Sequence, residues 1–222
     1  MASFFKKKGA RYYPADWLFG SLATAAALAD IQSRQSFVSD KKLKLKKTSG
    51  GYVKLGERQV LFIADRRSVH PDSEEWKFIG RLATHLQGCF DALDIGGKTA
   101  LEHLDAVVFA ASENPAFRSY ADVKPNCYVY DVEEFRYPQN GQLVTLAFAA
   151  SNIVHDANHI LMFEQGRQHT GLEAERECWR LQVSNAAALG LGDFEVDYLN
   201  GLIDVPPAHV LARMEQHPHA MA

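Results

Sequence analysis

The feature that most constrains this chain is a helical stripe with two histidines set in it. Leu143, Leu146, Ala147, Ala150, Ile153, Val154, Ala157, Ile160 and Leu161 recur at three- and four-residue steps until Gln165-Gly166 stops the run. His155 and His159 stand four apart inside that stretch. They therefore project from one face of the helix, about one turn apart, and both imidazoles can reach a single divalent ion. Mid-helix and beside the core, their ring nitrogens are poorly solvated, which costs free energy unless a metal or hydrogen-bond partners satisfy them.

A third ligand is expected from the next helix. Thr170-Gly171-Leu172-Glu173 has the form of a capping box, in which the threonine hydroxyl accepts from the Glu173 N–H and the Glu173 carboxylate reaches back. That gives Glu173 a structural role and leaves Glu175 for the metal, with Glu173 as the alternative donor. Glu175, Cys178, Gln182 and Asn185 follow one another along one face, while Leu181, Ala188 and Leu189 continue beside them as core. The loop at 166–170 is short enough to fold the second helix back on the first.

These residues resemble the zincin-like metallopeptidases of gluzincin type. The resemblance covers about residues 74–190: a long helix, strands, a His-Glu-x-x-His helix, then a helix with a Glu ligand in a Glu-x-x-Ala-(Asp/Asn) type setting. Here the first motif reads His155-Asp156-Ala157-Asn158-His159 and the second Glu175-Arg176-Glu177-Cys178-Trp179, with Cys178 at the small-residue position. The resemblance implies an α+β, zincin-like fold, with a small mixed or antiparallel sheet packed on the metal-binding helix and a following ligand helix. It implies His155, His159 and Glu175 as ligands of zinc or another divalent first-row metal, a peptide or protein substrate, and Asp156 as general base. Three protein ligands leave one position open for a water that the metal acidifies, and Asp156 takes its proton during attack on a polarised carbonyl. His169, between the two helices, is a candidate for stabilising the oxyanion or orienting substrate. Asp156 departs from the family's glutamate by one methylene. Its carboxylate is then about 1.5 Å further from that water, and misplacement on this scale costs about 100-fold.

Two other readings compete. Val154-His155-Asp156-Ala157 also resembles the His-Asp metal-dependent phosphohydrolases; there His155 and Asp156 are both ligands, His103 or His85 and Asp193 or Asp197 complete the site, and the fold is wholly helical. In the other, the protein is a non-catalytic interaction module whose metal is structural or absent, the site being closed by a fourth ligand such as His169. Two histidines and one carboxylate with open positions also suit non-haem Fe(II). Oligomeric state has no signature in the sequence.

The rest of the chain sets limits. Its 222 residues, 47% of them hydrophobic, suffice for one domain, or one with an appendage. The expected division is an N-terminal helix and β-hairpin extension over 1–65 and the metal-binding domain over 66–222. A formal charge of −3 and a pI near 6.3 supply no electrostatic basis for nucleic-acid or anionic-membrane binding. Cys89, Cys127 and Cys178 are far apart, with no C-x-x-C, which argues against a disulfide framework and for a reducing compartment, so a cytoplasmic protein is expected. Export is the alternative: Lys6-Lys7-Lys8, the apolar run at 17–29 and Ala27-Leu28-Ala29 have the layout of a signal peptide. The preferred reading is an amphipathic helix started by Pro14-Ala15-Asp16. A run of 13 residues is too short to span a bilayer.

Lys41-Lys42-Leu43-Lys44-Leu45-Lys46-Lys47 reads as a solvated edge strand or loop rather than a nucleic-acid contact. Thr48-Ser49-Gly50-Gly51 then breaks the chain, and Tyr52 to Leu55 and Arg58 to Ala64 form a hairpin turning at Gly56-Glu57. A core helix over 75–93 places Trp76, Ile79, Leu82, Ala83, Leu86, Phe90 and Leu93 on one side. Gly96-Gly97 ends it, without the upstream glycine that a phosphate loop requires. Residues 104–111 read as a buried strand, 112–124 as a loop, and 126–135 as a strand of mixed faces. The resemblance implies that this last strand is a sheet edge on which an extended substrate lies by strand addition. Residues 138–141 turn the chain into the central helix. A short helix over 193–202, a final one from Pro206-Pro207 to Glu215, and a disordered His217-Pro218-His219 tail complete the expectation.

Overall fold

A computed structural model describes residues 18–19, 48–111, 119–123, 126–135 and 143–204. The signal peptide or amphipathic helix, the lysine run, the turn at 138–141, the final helix and the histidine tail lie outside the described residues, apart from Leu18–Phe19.

The sheet grows from the hairpin. Strand β2 (Thr48–Leu55) pairs antiparallel with β3 (Arg58–Asp65) around Gly56, whose φ of 60° is the left-handed conformation that glycine adopts without strain. Strand β2 begins earlier than expected, because Gly50 belongs to it: a Cβ there would lie 1.9 Å from the Phe62 carbonyl oxygen, so glycine is required rather than chain-breaking. A two-residue strand β1 (Leu18–Phe19) adds antiparallel to β2, where the sequence suggested helix. From Val60 onward β3 is buried, as are all five residues of β4 (Ala106–Ala110) and of β6 (Cys127–Asp131). These three strands run parallel. Such strands are covered on both faces and carry near-continuous apolar runs.

Strand β5 (Tyr120–Asp122) pairs antiparallel with β6 and closes the order β1-β2-β3-β4-β6-β5. This corrects the expected edge. Residues 126–135 do not form an edge strand: β6 is interior, residues Val132–Phe135 turn as a 3-10 helix, and the edge is β5, from the stretch read as loop. The alternation along Cys127 to Tyr130 is between two covered faces. Tyr128 and Tyr130 meet the helix-side core, and Cys127 and Val129 the opposite one. The fold is α+β with a mixed sheet, and the hairpin assigned to the N-terminal extension is integral to it, since β3 pairs directly with β4.

Parallel neighbours need a crossover, and helix α1 (Glu74–Cys89) supplies it between β3 and β4. Ser73 caps it through the Trp76 N–H, and Trp76, Ile79, Leu82, Ala83 and Leu86 form the buried stripe. A 3-10 turn over Phe90–Ala92 follows, then α2 (Ile95–Glu102), capped by Asp94 on the Gly97 N–H. Gly96 and Gly97 thus lie inside a helix instead of ending one. Added Cβ atoms would stand 2.9 Å from Leu181 Cδ1 and 3.0 Å from Asn185 Oδ1, so the glycines admit a neighbouring helix.

Helix α3 (Leu146–Glu164) is the central one, capped by Thr145 through the Phe148 N–H. Its apolar face packs with Phe62, Phe109, Tyr128 and Tyr130 of the sheet. Helix α4 (Leu172–Ser184) folds back along it, α5 (Ala186–Leu189) ends at Gly190 in the left-handed conformation, and α6 (Asp193–Asp204) packs on α4. Thr145 also donates to Glu195, which ties α6 to the start of α3. No helix among the described residues is long and apolar enough to cross a membrane.

Candidate metal centre

The site lies between α3 and α4. Residues 151, 152, 155, 158, 159 and 162 share the side of α3 that meets Ala174, Glu175, Cys178 and Gln182 of α4. His155 Nε2 is 3.2 Å from His159 Nε2, 3.1 Å from Glu175 Oε2, and His159 Nε2 is 3.4 Å from Glu175 Oε1. The sequence-predicted trio is therefore brought together, with His159 only 8% exposed at its side chain and His155 13%.

The far side of each ring fixes what the near side offers. His159 Nδ1 is 2.7 Å from the His169 carbonyl oxygen, which can only accept, so Nδ1 carries the hydrogen. His155 Nδ1 is 2.9 Å from Gln182 Oε1, again an acceptor. In the neutral rings both Nε2 atoms then bear lone pairs, aimed at each other and at a carboxylate. Such an arrangement is repulsive until a cation, a proton or a metal ion stands among them. The electrostatics agree. Burial disfavours charge on His155, yet the neighbouring Cys178 and the Glu175 carboxylate outweigh it and push the imidazole up to about 9. His159 rises well above its ordinary value against the same burial, through Cys178 and Glu175. Burial raises Glu175, but the two rings bonded to it bring it far below the ordinary carboxylate range.

No known protein family, curated protein or solved structure matches the chain. What the site can do rests on its own geometry.

Cys178, fully buried, is the other donor. Its sulfur lies within 4.8 Å of one nitrogen of each imidazole, so His155, His159 and Cys178 also form a group that could hold a metal ion. The sulfur also accepts from Asn158 Nδ2 at 3.4 Å. Glu175 faces the two rings with its two carboxylate oxygens, at 3.1 and 3.4 Å.

Asp156 is half-buried, and among the described residues no hydrogen bond reaches its carboxylate. Burial pushes it up to about 6, against the pull of His155 and His159 and with Glu175 and Glu134 adding to the rise. The charge of Asp156 adds to the rise of the buried Tyr128 hydroxyl on β6. His169 contributes its carbonyl; its ring packs edge-on against Phe163 at 5.0 Å.

The capping box does not form. Gly171, at φ 84°, takes the N-cap position with no side-chain cap, so Thr170 falls one residue short, and Glu173 accepts instead from Arg176 Nη1 at 2.8 Å. Glu173, 71% exposed, is no ligand. The residues of the phosphohydrolase reading stay apart from the site: His103 bonds Glu164, His85 bonds the Leu189 carbonyl, and Asp193 and Asp197 are exposed on α6. Sequence reasoning placed Gln182 on the ligand face without giving it a task. Its signal is the seven-residue step from Glu175, two turns along the same stripe.

Proposed function

We propose that this chain is a zincin-like, zinc-dependent hydrolase acting on peptide bonds, with His155, His159 and Glu175 as ligands and Asp156 as proton acceptor. The observation that carries the reading is the pair of Nε2 atoms turned toward each other by acceptors on the far sides of their rings, with the two Glu175 oxygens beside them. The two Nε2 atoms are 3.2 Å apart and lie 3.1 and 3.4 Å from the two Glu175 oxygens, separations in the range expected between ligand atoms of a single small divalent ion. A zinc ion held there supplies Lewis acidity that polarises a carbonyl and acidifies water. Asp156, next along the helix from a ligand and without a hydrogen bond among the described residues, would take the proton in this reading, and a carboxyl pushed up to about 6 is suited to doing so at neutral pH. The mixed sheet with an antiparallel edge strand, followed by the two ligand helices, supports the zincin-like resemblance.

The nearness of Cys178 favours a second reading, a His155-His159-Cys178 centre in which the metal stabilises the fold and does no chemistry. Metal analysis of protein purified without tag or chelator separates the two. The hydrolase reading expects one zinc per chain, lost in His159→Ala and Glu175→Ala and kept in Asp156→Asn and Cys178→Ala. It also expects cleavage of a peptide library that falls by about 100-fold or more in Asp156→Asn. Loss of metal in Cys178→Ala with retention in Glu175→Ala establishes the structural centre instead. No stoichiometric metal in the wild type, even after reconstitution, removes both.

A further inference from the structure

We propose that Gln182 is a positioning residue that holds His155 in its metal-binding tautomer, a role resting on the metal reading above. Gln182 is 1% exposed, and each of its amide atoms has an assigned partner. Its Oε1 accepts from His155 Nδ1 at 2.9 Å, and its Nε2 donates to Ser151 Oγ at 2.9 Å and Asn152 Oδ1 at 3.2 Å.

The direction of this amide is set from outside the site. The Ser151 hydroxyl donates to the Phe148 carbonyl at 2.8 Å, so toward Gln182 it acts as acceptor. That acceptor, with the Asn152 carbonyl oxygen, draws the amide NH2 and turns the amide oxygen to His155. The reversed amide would put an N–H against Nδ1, drive the ring proton to Nε2 and block the lone pair that a metal needs. A chain of four groups therefore runs from the backbone of α3, through Ser151 and Gln182 on α4, to the ligand atom of His155.

The other ligand ring is locked differently. His159 leans on the backbone carbonyl of His169, which no side-chain substitution removes. His155 alone depends on a side chain, so its lock can be tested by mutation. The amide is also neutral, so it orients the ring without adding a second carboxylate's charge to the centre, as a carboxylate partner would.

The test is zinc affinity, measured by competition with a chromogenic chelator, for the full chain and three variants. Gln182→Leu keeps the volume and removes the acceptor; affinity falls by about 10- to 100-fold. Gln182→Glu keeps an acceptor at Nδ1 and retains affinity within a few-fold or tightens it. Ser151→Ala, a smaller change that releases only the outer anchor, gives an intermediate loss and decides the matter if Gln182→Leu does not fold. A role in packing alone predicts the reverse order, with the apolar variant least affected; urea midpoints in excess chelator report that contribution separately. Equal affinity in wild type, Gln182→Leu and Ser151→Ala overturns the proposal while leaving the metal centre standing. Absence of zinc binding in the wild type overturns the metal reading itself.

Discussion

Gly97→Ala sets local helix preference against a tertiary contact, and the contact is expected to win. In an isolated helix the exchange is favourable by up to about 1 kcal/mol. Here the new methyl would stand 3.0 Å from Asn185 Oδ1 and 3.1 Å from both Cγ and Nδ2. The amide would have to retreat by a few tenths of an ångström, and it is held on both sides. Its Oδ1 accepts from the Asp94 N–H at 2.8 Å and its Nδ2 donates to the Leu181 carbonyl at 2.9 Å, in a residue 1% exposed. Overpacking costs about 1–3 kcal/mol, and a weakened buried hydrogen bond adds to it. The net loss is about 1–2 kcal/mol. With a urea m-value of about 2 kcal/mol/M, the midpoint falls by about 0.5–1 M at constant slope. Gly88→Ala is the control: it also lies in a helix, but its Cβ meets nothing within 4 Å. That variant gains about 0.5–1 kcal/mol. If Gly97→Ala proves as stable as the wild type, the packing of α2 against the end of α4 is wrong.

Asp94 caps α2 and reaches Ser184 on α4. Burial raises its pKa, but the Gly97 N–H and the bonds from Ser184 and Asn185 outweigh that and hold it below its ordinary 3.8. A carboxyl depressed by folding contributes stability above its unfolded pKa and loses it as pH falls through the folded value. The stability gap between wild type and Asp94→Ala, followed by urea midpoints, therefore narrows on acidification below the ordinary aspartate range; a gap independent of pH there contradicts the bonding. Burial, then the charges of Asp156, Tyr130 and Glu134, push Tyr128 well above 10. In an alkaline spectrophotometric titration of the 8 tyrosines, at least this one ionises only with unfolding, and removing the Asp156 charge in Asp156→Asn eases it. A fully reversible titration of all of them in the folded protein would contradict its burial.

The elements legible in the sequence are those whose cause is local. The stripe from Leu146 to Leu161 and the one from Trp76 to Leu86 announce α3 and α1 because helix periodicity acts within a few residues. The turn at Gly56 and the runs at 58–64 and 104–111 mark strands for the same reason. Pairing is not local. Nothing in Tyr120 to Asp122 says that it will close the sheet edge, or in Cys127 to Asp131 that both faces will be covered. Glu173 and Glu175 likewise differ only in tertiary terms. One accepts from Arg176 on the surface, and the other meets two imidazoles, because only its side of α4 lies against α3.

The sequence by itself determined that His155 and His159 share a helix face, since 3.6 residues per turn leaves no other outcome for a four-residue step. That α4 lies along that face, putting Glu175 at 3.1 Å and Gln182 at 2.9 Å from opposite ends of one ring, was decided by the tertiary structure. The reason is physical: the direction of a hydrogen bond, and so the nitrogen left bare for a metal, depends on groups that only packing brings within reach.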